Sequence, residues 1–409
     1  MKNVFLIIWA MAIVTVANAQ GFEKSYSFGE ETEKPAVKVG ADFAMQYQGL
    51  SHHADTARLI PLGKGITLPT ANFNLDANLA DGITVNLTTY LSSRHHNDTW
   101  VKGGYLFVDK LPFIKSPAIT KIMDYISFRA GVMELNYGDY HFRRTDNGNA
   151  IRNPFVGNNI IEGFSVSPAF EAYFNASGFL LMGGLTTGTV NASLSGYNAA
   201  TRQYTAYNAG KELAFYGKIG YDKQLNDNLR FRLTLSGYHS SKNHSGSLYF
   251  GDRAGSRFYL VMQRTTNSAS DVDPSANFTT GNWGPGTTNK DNSGMINLFV
   301  KYYGAELFGT LEKLKGTTPN GTKFDFNQFA IEGIYRFGND ENFFAGIKYN
   351  TAGNDTPAAI NRLETSIGWF PLKSLVIKAE YVDQNYKHFD VYGGNAGFNG
   401  VMIESAISF

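Results

Sequence analysis

Between Asn136 and Asn158 the chain reads Asn-Tyr-Gly-Asp-Tyr-His-Phe-Arg-Arg-Thr-Asp-Asn-Gly-Asn-Ala-Ile-Arg-Asn-Pro-Phe-Val-Gly-Asn, which crowds Asp139, Arg143, Arg144, Asp146 and Arg152 into one stretch. Guanidinium groups and carboxylates at that density can oppose one another across a gap, and such a constriction sorts ions and small solutes by sign and size. Folded into a channel, this segment would set Arg143, Arg144 and Arg152 against Asp139 and Asp146. Left at the surface, where loops usually stay, it would only cap a rim. Asp252-Arg253-Ala-Gly-Ser-Arg257 offers the same chemistry a second time, with Arg253 and Arg257 as its cations.

Catalytic residue types are present, but not at the spacing catalysis needs. The eight histidines, His52, His53, His95, His96, His141, His239, His244 and His388, all fall in expected outer loops or at strand ends. The pairs His52-His53 and His95-His96 could meet as a surface metal site, but adjacent side chains on a strand point to opposite faces, and no metal is expected. Tyr238-His239-Ser240-Ser241 supplies serine and histidine without a Gly-x-Ser-x-Gly elbow. Asp139, His141 and Asp146 are the best raw material for a hydrolase at a barrel rim. Such sites are defined by geometry rather than by presence, and the expectation is no enzyme and no catalytic residue. There is no cysteine, hence no disulfide, thiolate metal site or thiol nucleophile. No phosphate-binding loop or other cofactor motif occurs, so no cofactor is expected.

Any such loop needs an element that encloses it, and the two ends of the chain suggest which. Residues 1–19 carry Lys2, an apolar run and Ala17-Asn18-Ala19, the pattern of a cleaved signal peptide with the mature chain starting at Gln20. The run is too short for a transmembrane helix, which needs about 20 apolar residues. Cleavage removes one of 36 cations and leaves 35 against 35 acids, so no polyanionic partner and no nucleic acid is expected. At the other end, Gly400-Val-Met-Ile-Glu-Ser-Ala-Ile-Ser-Phe409 puts Val401, Ile403, Ile407 and Phe409 on one face of a strand and Met402, Glu404, Ala406 and Ser408 on the other. That is how the closing strand of an outer-membrane barrel reads: lipid on one side, a wet lumen on the other, an aromatic at the interface. The 31 Phe, 23 Tyr and 43 Gly fit aromatic girdles and hairpin turns.

Alternating runs recur throughout, as in Leu229-Arg-Phe-Arg-Leu-Thr-Leu-Ser236. They predict strands near 36–48, 69–80, 82–93, 99–110, 123–135, 160–174, 177–187, 211–222, 229–239, 294–303, 305–315, 323–337, 342–351, 361–370, 374–385 and 400–409. The expected fold is therefore an all-β, 16-stranded antiparallel transmembrane barrel spanning 36–409 after a short periplasmic lead-in, 20–35. Asp81-Gly82, Asn175–Gly178, Leu225–Asn228, Gly338–Glu341 and Pro371–Ser374 read as periplasmic turns, and the links between them as longer extracellular loops. Ser256–Gln263 could be half of an extra strand pair, giving 18; the polar, Gly- and Pro-rich 265–293 favours a loop, and 136–159 and 240–293 are the loops that could enter the lumen.

Period 2 turns Arg129, Lys218, Arg230, Arg232, Arg336, Lys348 and Lys378 inward, with Glu212, Glu332, Glu380 and Glu404. On the lipid face such charges would cost about 2–4 kcal/mol each at midplane. The surplus of cations suggests a mild anion preference, unless these charges pair with one another and with the loops.

The run Met133–Gly157, together with Gly251-Asp-Arg-Ala-Gly-Ser-Arg-Phe-Tyr259, resembles the porin-like outer-membrane proteins of Bacteroidota, distant relatives of the phosphate-selective type of trimeric porin. The resemblance implies a passive diffusion channel for small hydrophilic solutes or anions, often a homotrimer, with its third loop in the lumen, set in outer-membrane lipid and lipopolysaccharide. This chain lacks the long Lys and Arg ladder of the phosphate-selective type, so phosphate selectivity is not carried over. A barrel that only displays its loops for adhesion or assembly is the alternative.

Overall fold

In the computed structural model, residues 20–23, 36–92, 99–144, 150–188, 195–198, 201–206, 213–241, 248–249, 255–268 and 279–409 are described. Sixteen strands close into one antiparallel barrel. In chain order the strands are β1 Ala36–Ala54, β2 Gly65–Ala80, β3 Ile83–Ser92, β4 Trp100–Val108, β5 Ile126–Glu134, β6 Val166–Ala176, β7 Phe179–Thr186, β8 Ser195–Asn198, β9 Gln203–Ala206, β10 Ala214–Asn226, β11 Leu229–Ser240, β12 Lys290–Tyr302, β13 Ala305–Thr317, β14 Lys323–Phe337, β15 Phe343–Asn354, β16 Ala359–Leu372, β17 Leu375–Phe389 and β18 Gly394–Ser408. Of these, β8 and β9 form a separate hairpin inside an outer loop, and β7 pairs directly with β10. That hairpin was not expected from the sequence. The extra strand pair considered at Ser256–Gln263 does not form.

Closure joins β1 to β18 in a register that opposes Phe43 to Ile407 and Tyr47 to Ile403, and Gln46 to Glu404. The first two pairs lie on the exposed outer wall and the third is buried inside. The backbone continues the ladder to the last residue, with Ala41 and Phe409 exchanging hydrogen bonds at 3.0 Å each way. At the short-turn end the outer wall carries stacked aromatics: Phe337 lies 5.8 Å from Phe343, which lies 6.3 Å from Trp369. This apolar, aromatic-bordered exterior around a polar interior is an outer-membrane barrel's arrangement.

The short turns work as their residues suggest. Gly82 adopts φ 73°, and a Cβ there would sit 2.3 Å from that of Lys110, so glycine is required on both counts. Several expected strand starts move: those at 69, 294 and 400 fall earlier, at Gly65, Lys290 and Gly394, and that at 211 falls later, at Ala214; two others bear on the lumen. The run 123–135 begins only at Ile126, because a short helix, Pro117–Met123, precedes it. The run 160–174 begins at Val166. Residues 160–165 lie in the lumen instead, where barrel side chains satisfy their backbone: Ile160 N donates to Asn350 Oδ1 at 2.7 Å and Ile161 N to Gln328 Oε1 at 2.8 Å.

Candidate functional site: a lumen filled by its own loops

The segment that joins β5 to β6 folds inward. Leu135, Tyr137, Phe155, Val156 and Ile160 are all buried, and the barrel wall grips the segment's main chain. Lys378 Nζ donates to the carbonyls of Ala150, Asn153 and Phe155 at 3.0, 2.7 and 2.9 Å. Glu380 Oε2 accepts from Val156 N at 2.6 Å, and Gln328 Nε2 donates to Ile161 O at 2.9 Å. Irregular backbone cannot be left unsatisfied at this depth, and the inward amides, acids and lysine supply the partners that a neighbouring strand would otherwise give.

The link from β11 to β12 also enters. Gln48 and Tyr259 exchange two hydrogen bonds, Nε2 to O at 2.9 Å and N to Oε1 at 2.8 Å, and Gln46 Nε2 donates to Arg257 O at 2.6 Å. Arg257 reaches Glu404 at 3.1 Å, and Gln384 Nε2 donates to Gly281 O at 2.8 Å. The two loops then bond each other: Trp283 N donates to Ile160 O at 2.9 Å and Asn158 N to Ser256 O at 3.3 Å.

The seven cations assigned inward from the sequence all line the lumen, and each lies against a carboxylate. The pairs are Arg129–Glu171 at 3.2 Å, Lys218–Asp139 at 2.9 Å, Arg230–Asp222 at 2.8 Å, Arg232–Asp139 at 2.8 Å, Arg336–Glu306 at 2.7 Å, Lys348–Glu364 at 3.2 Å and Lys378–Glu404 at 2.8 Å. Glu332 and Glu380 are inward and buried as well; Glu212 lies outside the described residues. The apparent cation surplus came from overlooking Glu171, Asp222, Glu306 and Glu364, together with Arg362, which is buried beside Glu364. The alternation of their own strands places them: Leu363, Thr365 and Ile367 face outward, so Arg362, Glu364 and Ser366 face in.

The constriction residues are placed differently from the expected face-off. Asp139 does not oppose Arg143 and Arg144; it binds Lys218 and Arg232 and accepts from Thr234 Oγ1 at 2.7 Å. Burial pushes its carboxyl up, but the Lys218 ammonium and the Arg232 guanidinium outweigh that and hold it well below the usual carboxylate range. Arg143 pairs with Glu332 at 3.0 Å and lies 4.9 Å over the Phe308 ring. Arg144 pairs with Glu162 and stacks 4.2 Å over Phe164. The loop runs along the wall, so Asp139 and Arg143 meet partners on strands, while Arg144 meets Glu162 in the returning limb of the same segment. Arg152 is exposed at the remaining cavity, Arg257 is buried, and Asp146 and Arg253 lie outside the described residues.

Space remains on the other side. A cavity of about 1000 Å³ occupies the short-turn end, lined in part by Asp42, Asn72, Asn74, Asp76, Asn86 and Thr88. These side chains form a ladder across β1, β2 and β3: Asn74 Nδ2 donates to Asp42 Oδ2 at 2.9 Å, Thr88 Oγ1 to Asn74 Oδ1 at 2.9 Å and Asn86 Nδ2 to Asp76 Oδ1 at 2.6 Å.

Of the expected periplasmic lead-in, 20–35, residues 24–35 lie outside the described residues, and Gln20 and Phe22 are buried inside the barrel. The sequence signal was Phe22, one of three aromatics in the expected leader, with Tyr26 and Phe28. Of the histidines, His141 sits in the lumen against Glu134 and Asn136 rather than at the rim, and Asp139 is committed elsewhere. One ring nitrogen of His52 lies 2.6 Å from Ile60 O and the other accepts from Met262 N at 3.0 Å. His239 faces outward, 2.7 Å from Asn292 Oδ1; His95, His96 and His244 lie outside the described residues.

No protein-family model matches the sequence, and no curated protein matches it either. Among solved structures the chain is similar to an anion-selective porin from Comamonas acidovorans, with 11% identity and a TM-score of 0.52, covering 92% of this chain and 100% of that one. It is likewise similar to a loop L8 deletion mutant of OmpT, an outer membrane protein of Vibrio cholerae, with 11% identity and a TM-score of 0.50, covering 92% of this chain and 99% of that one. At such identities the likeness concerns the fold, and the fold is that of a multi-pass β-barrel of the outer membrane.

Proposed function

We propose that the protein is a passive, non-enzymatic channel of porin type that passes small hydrophilic solutes or ions through a lumen narrowed by its own loops. One observation carries this reading: two loops are built into the barrel by specific bonds, yet a cavity of about 1000 Å³, polar along β1 to β3 and partly apolar elsewhere, is left at the short-turn end. A wall of hydrogen-bonded amides, hydroxyls and carboxylates exchanges readily with a solute's hydration shell, and barrel width with loop position sets the size cutoff. The sign bias is small, because the cations that suggested an anion preference each have a carboxylate within about 3 Å. Trimerisation rests on the sequence resemblance.

Single-channel recording of the purified protein in a planar bilayer, with a reversal potential under a salt gradient, tests the proposal. Small, frequent steps with a reversal potential near zero are expected. Silence from a folded, heat-modifiable barrel would overturn it in favour of the display reading, which the full burial of Lys348, Arg362 and Glu364 under the loops supports.

A further inference from the structure

Besides the two loops, the lumen holds Gln20–Glu23, and it holds them as a protein holds a ligand. The Phe22 ring lies edge-on to Phe142 at 5.7 Å and to Phe299 at 5.5 Å. The Arg232 guanidinium lies 4.2 Å from its centroid and that of Arg230 5.2 Å. The Glu23 carboxylate accepts two hydrogen bonds from Arg232, at 2.9 and 2.8 Å, in the bidentate fork that gives arginine its preference for carboxylates. Lys218 Nζ stands 3.7 Å away. Gln20 closes the far end: its carbonyl accepts from Arg230 at 2.8 Å, its side-chain oxygen from Arg143 at 3.2 Å, and its Nε2 donates to Phe142 O at 3.1 Å.

The receiving groups are set by other parts of the molecule. Lys218 and Arg232 are fixed by Asp139, Arg230 by Asp222 through two bonds at 3.0 and 2.8 Å, and Phe299 by its place on the inner face of β12. Arg232 thus divides its donors between Asp139 and Asp222, its partners in the rest of the lumen, and Glu23. Removing the segment would leave a guanidinium fork beside an arginine- and phenylalanine-walled box, which is a recognition site for a carboxylate attached close to an aromatic ring.

We propose that Gln20–Glu23 is a tethered internal occupant of this site, and that small aromatic carboxylates, such as N-acylated phenylalanine or short peptides ending in an aromatic residue, compete with it for the lumen. Segment and free solute compete for one site, so the segment's occupancy falls as the solute's concentration rises. The inference rests on the channel reading only in that a solute must reach the lumen.

The test compares the full-length protein with a Phe22→Ala/Glu23→Gln double variant, by calorimetry in detergent with N-acetylphenylalanine as the probe. N-acetylalanine, without the ring, and phenylalaninamide, without the carboxylate, are the controls. The double variant is expected to bind N-acetylphenylalanine at least about tenfold more tightly than the parent, equivalent to about 1.4 kcal/mol, and the controls should gain much less. In bilayers its steps should be larger and the probe should block them. Equal affinity in parent and variant, or an equal gain for all three probes, overturns the proposal. Should the double variant lose its heat-modifiable barrel, Glu23→Gln alone is compared in the same way. A binding gain without channels in any form would remove the channel reading and leave this one; channels in the parent without a binding gain would do the reverse.

Discussion

The two sides of the lumen are built from the same alternating strands and come out opposite. On the wall formed by β14 to β18, inward positions hold long charged side chains, Lys348, Arg362, Glu364, Lys378 and Glu404, each 0–1% exposed because two loops lie on them. On β1 to β3 the inward positions toward the short-turn end hold short polar side chains, Asp42, Asn74, Asp76 and Thr88, which satisfy one another and leave the cavity beside them. On the filled side, long ionic side chains act together with amides such as Gln328, Asn350 and Gln384 to bond the loops; on the open side, Asp42, Asn74, Asp76, Asn86 and Thr88 bond one another within the wall. Whether an inward side chain bonds a loop or its neighbours on the wall therefore separates the filled part of the barrel from the open one.

The sharpest break in that contrast is Glu404→Gln. Glu404 serves both Lys378 and Arg257, so the amide removes one buried negative charge from beside two buried cations at once. We expect a loss of about 3–5 kcal/mol, measured as a lower urea midpoint in detergent. A loss under about 1 kcal/mol would mean that the filled wall is wetter than its burial indicates. Next in size, Arg143→Ala with Arg144→Ala removes the loop's tie to Glu332 on β14 and the tie between its two limbs at Glu162 and leaves two acids in the lumen. Conductance should rise and the reversal potential should move toward cations, whereas an unchanged conductance would put this loop outside the conducting path. The smallest effect belongs to the open wall: Asp76→Asn keeps the ladder's geometry, so stability should stay within about 0.5 kcal/mol while the reversal potential shifts slightly toward anions. A large stability loss there would erase the distinction between the walls.

Much of the barrel was legible because period 2 is a local property. The sixteen runs, their faces and the turns at Asp81-Gly82 and Gly338–Glu341 follow from neighbours two residues apart. Legibility failed where backbone leaves the ladder. Ile160–Ser165 reads as strand because Ile160, Ile161 and Phe164 are apolar, but those side chains are buried against the inner wall rather than facing lipid. Phe22 offered a hint and no partner to pair it with.

By itself, then, the sequence determined that the chain forms a membrane barrel, which residues point inward, and which loops carry enough charge to be held there. It could not determine who pairs with whom. Asp139 meets Lys218 and Arg232 from 79 and 93 residues away, and Lys378 meets Phe155 across 223. Such contacts depend on the circumference and stagger of the closed sheet, and only the tertiary structure brings those strands around to face one another.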